Sequence, residues 1–519
     1  MSNVKIILAT PSTSSQRTAE ETLAIEYLAA ILRNAGYQTV TVDAWLRGID
    51  CQKAVDLMFK NGYPSAICMS CYRSNLNQAS EMIRCAKTRS QNVLTVCGGY
   101  GPTFHDAEFL QTGFDVAVRG EAEAFLTDLI AKMMSRDSLL SIPGISFMEN
   151  GKVVRTGRAE PINDLDTIPF PERDEVPHVM RRKNPVHLCT SRGCNGNCSF
   201  CSVAAFNHGV IRKRWRSRSI SNIVEEMRSV QKKFGTTHFK IVDDSFIEPP
   251  RNENWVKDFA TAVKAAGLNI RFRTQVRADR LTESIIRELA SCGWLATGVG
   301  VENFSDSALL RMRKPARAAD NIRALELLHR YNVYTQIGLI MFDNMTTMDE
   351  LLQNYQTLRK HPWVITKGVF TEMFAAEGTA FTQDLKGANL LGGGSTNQNY
   401  SYEIQDVQAR RVYFMLKAWH KSHALLYDQV IDPLTAPKIM SESGYKEVHK
   451  LCMELLELDM DFFGKTISQI AESPSGDMEI AESEIRLVAD AHKSIRGRIN
   501  NVYKREGLTY DGEFNPFLV

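Results

Sequence analysis

The sequence contains no long apolar run and carries almost no net charge. No stretch approaches the roughly 20 consecutive apolar residues of a membrane-spanning helix. The 62 basic and 60 acidic residues leave a formal net charge of +2. We therefore expect neither a membrane partner nor a nucleic-acid partner. The first residues turn polar too soon for a signal peptide, which makes the cytoplasm the expected location.

In other respects the composition is ordinary. The chain has 519 residues, 44% of them apolar, which excludes a disordered or collagen-like protein. This length predicts roughly three domains. Its 11 cysteines come without an export signal and do not predict a disulfide framework. Eight are scattered and are expected to be small buried apolar residues, whereas Cys194, Cys198 and Cys201 fall within eight residues.

Residues 1–140 alternate apolar strands with amphipathic helices. Five such units predict an α/β domain with a doubly wound, flavodoxin-like parallel sheet. The strands are expected at residues 4–9, 38–42, 65–70, 93–96 and 114–118. A ligand of such a sheet binds at the carboxyl ends of the strands. Those ends carry Ser12, Thr13, Ser70, Cys71, Tyr72, Gly98, Gly99, Thr103, Gly120 and Glu121. Small residues suit close passage of a large ligand, although ordinary tight turns predict them almost as well.

Three further regions follow along the chain. Residues 141–180 are expected to form a hairpin, turning at Asn150-Gly151, and a proline-rich linker. A second strand–helix series over residues 181–382 predicts a partial parallel (β/α)6 barrel with its chemistry at the strand C-termini. Its strands are expected at residues 185–189, 238–242, 270–274, 295–301, 334–341 and 366–373. Residues 383–519 are expected to be a C-terminal helical domain, entered through a glycine-rich loop at 385–399.

The three clustered cysteines have the spacing Cys-x3-Cys-x2-Cys. Three thiolates on one short loop can bind three irons of a four-iron cluster and leave the fourth iron open to a substrate or cofactor. A structural zinc site would need four ligands, commonly as two Cys-x2-Cys pairs. Cys189 is a possible fourth ligand, but it lies inside a predicted strand. Buried inert cysteines are the remaining alternative.

This segment resembles the radical S-adenosylmethionine (SAM) superfamily, whose cysteine motif also has an aromatic residue before the last cysteine. Later segments resemble the second to sixth barrel strands of that superfamily, in the expected order. The resemblance implies an acid for the SAM amino group, an arginine for its carboxylate, an acid for its ribose and a fifth strand near the adenine. The implied SAM-binding residues are Phe200, Asp243, Asp244, Arg277, Glu302, Gly338 and Ile340.

Two of these assignments have alternatives. Adjacent residues at a strand end face opposite ways, so one of Asp243 and Asp244 is expected to contact SAM or substrate and the other to be structural. Glu302 has an alternative role as a cap of the following helix. No residue is assigned as catalytic from the sequence.

The N-terminal region narrows the resemblance to the cobalamin-binding radical SAM subfamily. It combines a flavodoxin-like pattern with Gly98-Gly99 and Arg119-Gly120-Glu121 and is followed by the linker and the barrel. The Asp-x-His-x-x-Gly motif that ligates cobalt in other cobalamin domains is absent. That absence agrees with a cobalamin bound without a histidine ligand, and equally with a domain that has lost cobalamin. Tyr72 has two possible roles, beneath the cobalt face or in plain packing.

The resemblance implies a 4Fe-4S cluster, SAM and cobalamin as cofactors and methylation of an unactivated carbon as the reaction. In that family a 5′-deoxyadenosyl radical removes a hydrogen atom from the substrate and methylcobalamin supplies the methyl group. The implied partners are a small-molecule or peptide substrate, often in natural product biosynthesis, and an electron donor such as flavodoxin or ferredoxin. Ring closure or rearrangement without methyl transfer is an alternative. A non-catalytic cobalamin or iron–sulfur sensor is another, whereas a methylthiotransferase would need a cysteine trio in the N-terminal domain.

Overall fold

The computed structural model describes residues 4–12, 20–207, 214–396, 399–472 and 478–509. The chain divides into two compact units. The first unit comprises Met1–Arg181 and Ala205–Asn222, and the second comprises Arg182–Ala204 and Ile223–Val519. Among the described residues, no helix is both long enough and apolar enough to span a membrane.

The first unit contains a seven-stranded sheet in the order β2-β1-β3-β4-β5-β6-β7. Its strands are β1 Lys5–Thr10, β2 Gln38–Asp43, β3 Ala66–Ser70, β4 Leu94–Gly98, β5 Val116–Val118, β6 Ile145–Glu149 and β7 Lys152–Arg155. The first five strands are parallel, as the alternation of strands and helices predicts. Each lies within a few residues of its expected position.

Helices cover both faces of this sheet. They are α1 Leu23–Asn34, α2 Ala44–Arg47, α3 Cys51–Phe59, α4 Leu76–Arg89, α5 Tyr100–Gln111, α6 Leu126–Ser135 and α7 Val176–Arg181. In β1, Ile6 and Leu8 belong to one core cluster while Ile7 and Ala9 belong to another. Because successive strand residues face opposite sides and both sides are buried, the strand is a continuous apolar run.

The hairpin expected at Asn150-Gly151 is present and extends this sheet. Strands β6 and β7 pair antiparallel, with Glu149 opposite Lys152. Both turn residues have left-handed backbones, with φ of 50° at Asn150 and 74° at Gly151. Two such residues match the twist of the flanking strands, which is why Asn-Gly is favoured in two-residue hairpin turns. Strand β6 also pairs with β5.

The second unit contains a five-stranded parallel sheet in the order β14-β13-β12-β11-β8. The remaining strands of the chain are β8 Val186–Leu188, β9 Ser191–Gly193, β10 Trp215–Ser217, β11 His238–Ile241, β12 Arg271–Arg277, β13 Trp294–Glu302, β14 Tyr334–Leu339, β15 Ala375–Ala376, β16 Leu391–Thr396 and β17 Asn399–Tyr402. A parallel sheet of this kind is the expected partial barrel.

The expectation of a sixth regular strand at residues 366–373 is wrong. This segment adds to the sheet through isolated parallel bridges, Gln336 with Ile365 and Phe342 with Glu372. Between the bridges, Gly368 has a left-handed φ of 79°, which breaks the extended conformation. The predicted loop at 385–399 is also wrong in part, because β16 and β17 form an antiparallel hairpin there and β17 pairs with β15.

Helices surround the second sheet and form the C-terminal region. They are α8 Ser202–Asn207, α9 Ile220–Phe234, α10 Glu253–Ala265, α11 Glu283–Ser291, α12 Asp306–Arg311, α13 Ala318–Arg330, α14 Met348–Lys360, α15 Ala380–Gly387, α16 Val407–Thr435, α17 Glu442–Glu472 and α18 Met478–Glu506. Of these, α8 and α9 each begin in one unit and end in the other. Helices α16, α17 and α18 pack through a shared apolar core that includes Leu426, Leu451 and Ile499.

A substitution at Gly293, between α11 and β13, tests how closely the backbone packs in the second sheet. Its φ is +105°, and a Cβ there would lie 2.0 Å from the Ile270 carbonyl oxygen. Gly293→Ala should therefore lower the free energy of unfolding by about 2 kcal/mol or more. Gly497→Ala in α18 is the control, because a Cβ there meets no atom within 4 Å in the part of the chain that the structure describes. It should change stability by no more than about 1 kcal/mol, and in the stabilising direction. Equal unfolding midpoints for the two variants in urea would contradict this.

Candidate functional site

The cysteine loop of the second unit folds tightly around Gly196. The Gly196 amide donates a hydrogen bond to Cys194 Sγ at 3.3 Å. A Cβ at Gly196 would lie 3.3 Å from Cys194 Sγ and 3.8 Å from Cys198 Sγ, so a side chain here would crowd both sulfurs. The end of the loop is held by Ser199, whose amide donates to the Met312 carbonyl and whose carbonyl accepts from the Phe381 amide.

All three cysteines are partly buried thiols. Burial raises the pKa of Cys194 to about 12 and that of Cys198 to about 11, and it also raises the pKa of Cys201. Because iron binds thiolates, it must displace protons here, and cluster binding should weaken as the pH falls. In the described part of the chain, no three His, Cys, Asp or Glu side chains converge on a single-ion site. A cluster in which each thiolate binds a different iron does not need such convergence.

The two adjacent aspartates after β11 have different environments. Asp243 is buried and accepts hydrogen bonds from the Thr190 amide at 2.6 Å, the Thr190 hydroxyl and the Ser191 hydroxyl. Arg251 lies 3.5 Å from the same carboxylate. Asp244 is exposed and accepts a hydrogen bond from the Gly193 amide at 2.9 Å. Asp243 therefore fastens the start of the cysteine loop, while Asp244 is the aspartate that a ligand can reach.

Arg277, at the end of β12, lies beside the cysteine loop. Its Nη1 atom is 3.6 Å from the position that a Cβ on Gly196 would take. It donates to Glu248 Oε1 at 3.1 Å and to both carboxylate oxygens of Asp279. Burial lowers the pKa of Arg277, but Asp279 and Glu248 outweigh it, and the pKa ends above its ordinary value.

Glu248 was not among the residues that the sequence indicates. It is fully buried, and the Cys194 thiol donates to its Oε1 at 3.4 Å. No family motif includes this position, and its partners are 54 and 29 residues away in the sequence. The sequence signal that could have indicated it is a carboxylate in the loop after a barrel strand, close to the paired aspartates.

Glu302 lies at the end of β13 with a left-handed φ of 62°. Its carboxylate accepts from Lys314 Nζ at 2.7 Å and lies over Gly338, whose Cβ would be 3.1 Å from Glu302 Oε2. It does not cap the next helix, because Ser305 precedes the first residue of α12. Burial lowers the pKa of Lys314, but Glu302 and Cys198 outweigh it and leave the pKa raised. The lysine therefore keeps its charge close to both groups.

Phe200 and Ile340 are the apolar members of the expected SAM set. Both pack against one apolar cluster that contains Met312, Met373 and Phe381. The Ile340 amide donates to the Glu302 carbonyl at 2.6 Å, which holds the end of β14 against the end of β13. The second unit therefore brings the cysteine loop, Asp244, Arg277 and Glu302 to the carboxyl end of its sheet, whereas Asp243 faces the interior.

In the first unit, the carboxyl ends of β3 and β4 are joined through their backbones. The Cys71 amide donates to the Gly98 carbonyl at 2.8 Å, and the Gly101 amide donates to the Cys71 carbonyl at 3.0 Å. Gly99 has a φ of +98°, and a Cβ there would lie 2.9 Å from the Cys71 carbonyl oxygen and 3.4 Å from the Ser70 hydroxyl. The strand ends approach so closely that only glycine fits at this position.

Thr103 connects this edge to the end of β5. Its hydroxyl donates to the Gly99 carbonyl at 2.7 Å and accepts from the Gly120 amide at 3.0 Å. A Cβ at Gly120 would meet no atom of the described residues within 4 Å, so these residues leave the edge open there. The structure thus brings Ser70, Gly98, Gly99, Thr103 and Gly120 together at one end of the sheet. This open, backbone-lined edge fits a large planar ligand such as a corrin ring.

Other expected residues of this edge have their side chains engaged elsewhere. The Ser12 hydroxyl lies 3.0 Å from Cys51 Sγ, and the Cys71 thiol is buried in the core. The Glu121 carboxylate pairs with the buried Arg216, whose Nη1 donates to it at 3.0 Å. Thr13 lies outside the described residues.

Four aromatic residues cluster at the same edge, of which the sequence analysis named Tyr72 alone. The Tyr72 ring stacks on Tyr100 with centroids 6.4 Å apart and an interplanar angle of 9°. Tyr100 also contacts Phe104 and Phe206, with centroid distances of 6.4 Å and 5.0 Å. Tyr72 is half exposed, at 51%. Its ring therefore packs on one face and is open to a ligand or to water on the rest.

Comparison with known families identifies both units. Residues 15–130 match the model of the B12 binding domain, and residues 188–356 match that of the radical SAM superfamily. The chain therefore belongs to the cobalamin-binding radical SAM enzymes. The cofactors of this family are cobalamin, SAM and a 4Fe-4S cluster, and they are accordingly those of this chain.

Individual relatives are distant and differ in their reactions. An uncharacterized methyltransferase of Pyrococcus horikoshii is 26% identical over 344 residues, which are 64% of this chain and 73% of the relative. The anaerobic magnesium-protoporphyrin IX monomethyl ester cyclase of Synechocystis is 27% identical over 256 residues. That match covers 48% of this chain and about half of the cyclase, 49%.

A solved structure shows the same fold over nearly the whole chain. The cobalamin-dependent S-adenosylmethionine radical enzyme OxsB, with aqua-cobalamin bound, aligns with a TM-score of 0.78 at 18% identity. The alignment covers 98% of this chain and 82% of OxsB. The α/β architecture with its seven-stranded and five-stranded sheets and C-terminal helices is therefore that of OxsB.

The two aspartates after β11 make a matched test of the site geometry. Asp243→Ala removes a buried carboxylate that accepts from Thr190 and Ser191 and pairs with Arg251, and it should cost about 3 kcal/mol of stability. Asp244→Ala removes an exposed carboxylate that accepts from the Gly193 amide and should cost less than about 1 kcal/mol. Urea unfolding of the purified protein measures both, and similar losses would show that Asp243 is not the structural member of the pair.

Proposed function

We propose that this chain is a cobalamin-dependent radical SAM methyltransferase that acts on an unactivated carbon of a small molecule or peptide. The observation that carries the proposal is the set of charged groups around the cysteine loop, in a chain that also has a B12 binding domain. The similarity to a methyltransferase over 64% of the chain supports methyl transfer as the reaction. The 4Fe-4S cluster must be reduced before it can pass an electron to SAM, and we propose that flavodoxin or ferredoxin supplies that electron.

Each cofactor has a set of residues suited to it. Cys194, Cys198 and Cys201 are proposed to bind three irons, and Gly196 keeps their loop compact. Asp244 is proposed to accept from the SAM ammonium, Arg277 to donate to its carboxylate and Glu302 to accept from its ribose hydroxyls. When bound, the cofactors supply a hydrogen-abstracting radical and a methyl group.

The first unit is proposed to hold cobalamin through its backbone edge. Gly98, Gly99 and Gly120 allow the corrin ring to approach, and Thr103 fixes the two loops that meet there. Tyr72 offers an exposed aromatic face at the same edge. Since Glu121 is paired with Arg216, we propose that it orients its loop and does not contact the corrin directly.

Ring closure without methyl transfer is a second candidate. The similarity to the cyclase of Synechocystis, which extends over about half of the chain, 48%, supports ring closure. The residues proposed for the cofactors would serve both reactions, because both would use the same cofactors. The two candidates differ in what happens to the SAM methyl group.

The cluster ligands are tested by iron content. Changing Cys194, Cys198 or Cys201 to Ala should lower the iron bound after anaerobic reconstitution from about four atoms per chain to less than about one. Cys189→Ala is the matched control, since its thiol donates to the Ser191 carbonyl at 3.4 Å within the same region. It should keep the full iron content. Retention of iron by all three single variants would contradict the ligand assignment.

Methyl transfer is tested without knowing the substrate. The reconstituted protein is reduced and incubated with hydroxocobalamin and SAM that carries a 13C-labelled methyl group. A methyltransferase should form labelled methylcobalamin and S-adenosylhomocysteine, which mass spectrometry detects. The same incubation without cobalamin is the control and should form no S-adenosylhomocysteine. Formation of 5′-deoxyadenosine alone, with unlabelled cobalamin, would favour the ring-closing candidate.

A further inference from the structure

Arg277 is held by two carboxylates, those of Glu248 and Asp279, to which the sequence analysis assigned no role. We propose that Glu248 and Asp279 are positioning residues that clamp Arg277 so that its remaining N–H groups face the carboxylate of SAM. This inference rests on the proposed function, because it assumes that SAM binds beside the cysteine loop. It adds two residues to the site and gives each of them a role.

The hydrogen bonds of Arg277 define the direction of its free donors. A guanidinium has five N–H groups in one plane. Nε and Nη2 donate to Asp279 at 3.0 and 2.6 Å, and Nη1 donates to Glu248 at 3.1 Å. These three bonds leave one N–H on each terminal nitrogen. Two such donors match the two oxygens of a ligand carboxylate.

The position of Arg277 beside the cysteine loop indicates which ligand carboxylate it binds. Its Nη1 atom lies 3.6 Å from the Cβ position of Gly196, and Cys194 Sγ lies 3.3 Å from that same position. A carboxylate bound by this guanidinium therefore belongs to a molecule that also reaches the cysteine loop. SAM satisfies this requirement, because its amino-acid end carries the carboxylate.

Glu248 is an unusual residue for a purely structural role. It is fully buried, and its Oε2 atom has no hydrogen-bond partner in the described part of the chain. Arg280 approaches Oε2 at 3.5 Å. A buried carboxylate with an incompletely satisfied oxygen is costly, and well-packed apolar residues usually stabilise a fold at least as well. Its charge is explained if it fixes the Arg277 guanidinium in one orientation.

The experiment compares two ligands on the cluster-loaded protein. SAM carries the carboxylate, whereas 5′-methylthioadenosine has the same nucleoside and sulfur without the amino-acid part. Glu248→Gln and Asp279→Asn should each weaken SAM binding by about tenfold, because a charge-assisted hydrogen bond is lost or misdirected. The binding of 5′-methylthioadenosine should change by less than about twofold, within the scatter of such measurements. Dissociation constants are measured by anaerobic equilibrium dialysis at matched iron content.

A second variant separates the clamp from a direct contact with SAM. Arg277→Lys keeps the charge but loses the planar fork, and it should reduce SAM affinity in the same way. In the double variant with Glu248→Gln, the two losses should not add, because Glu248 acts through Arg277. Additive losses would overturn the proposal.

Glu350→Gln is the matched control. Glu350 is also a buried glutamate held by an arginine, with Arg311 Nη1 and Nη2 at 2.6 and 2.9 Å. It should leave the ratio of the two affinities unchanged. If Glu248→Gln weakens both ligands equally, Glu248 is a structural residue and the clamp is refuted. If the unaltered, iron-loaded protein binds 5′-methylthioadenosine but prefers it to SAM, Arg277 does not bind a carboxylate, and the clamp fails while the cluster assignment stands. Absence of SAM binding in the iron-loaded protein would overturn the proposed function together with the clamp.

Discussion

In the second unit, the charged side chains buried at the carboxyl end of the sheet are stabilised by ion pairs with side chains of opposite charge. Taking a charge out of water costs several kcal/mol, so a buried charge persists only beside an opposite one. Arg277 has Glu248 and Asp279, Glu302 has Lys314, and Asp243 has Arg251. The same pairing holds each group in one orientation before any ligand arrives. A polar ligand then meets donors and acceptors that need little rearrangement, which is the condition for tight and selective binding.

In the first unit, backbone hydrogen bonds hold the carboxyl ends of the strands in place, and charged side chains contribute little. Its strand ends are joined by amides and carbonyls of Cys71, Gly98 and Gly101, and a threonine hydroxyl links two of the loops. A large ligand that approaches such an edge meets little side-chain bulk. The difference between the units follows the chemistry of their ligands, since SAM presents an ammonium and a carboxylate whereas a corrin presents a broad, largely apolar ring.

Much of the fold follows from local sequence, whereas the site follows from it only in part. Strands buried on both faces are continuous apolar runs, and the Cys-x3-Cys-x2-Cys loop is local, so both can be predicted from one segment at a time. Which of Asp243 and Asp244 faces the interior depends on Thr190 and Ser191, which lie more than 50 residues earlier in the sequence. The contacts of Glu248 are with Cys194 and Arg277, which lie 54 and 29 residues away in the sequence, so one segment alone does not reveal them. The irregular sixth strand arises because Gly368 turns left-handed where the pattern predicts extension.

The paired charges also bear on whether the protein is an enzyme or a sensor. A sensor that only retains cobalamin or an iron–sulfur cluster has no use for a charged set arranged around the cysteine loop. Buried ion pairs seldom stabilise a fold more than apolar residues of the same volume would, so stability alone does not account for Glu248 and Lys314. The proposed binding of SAM accounts for them, because each partner then holds a proposed SAM-binding group in place. This reasoning favours a SAM-using enzyme over a sensor.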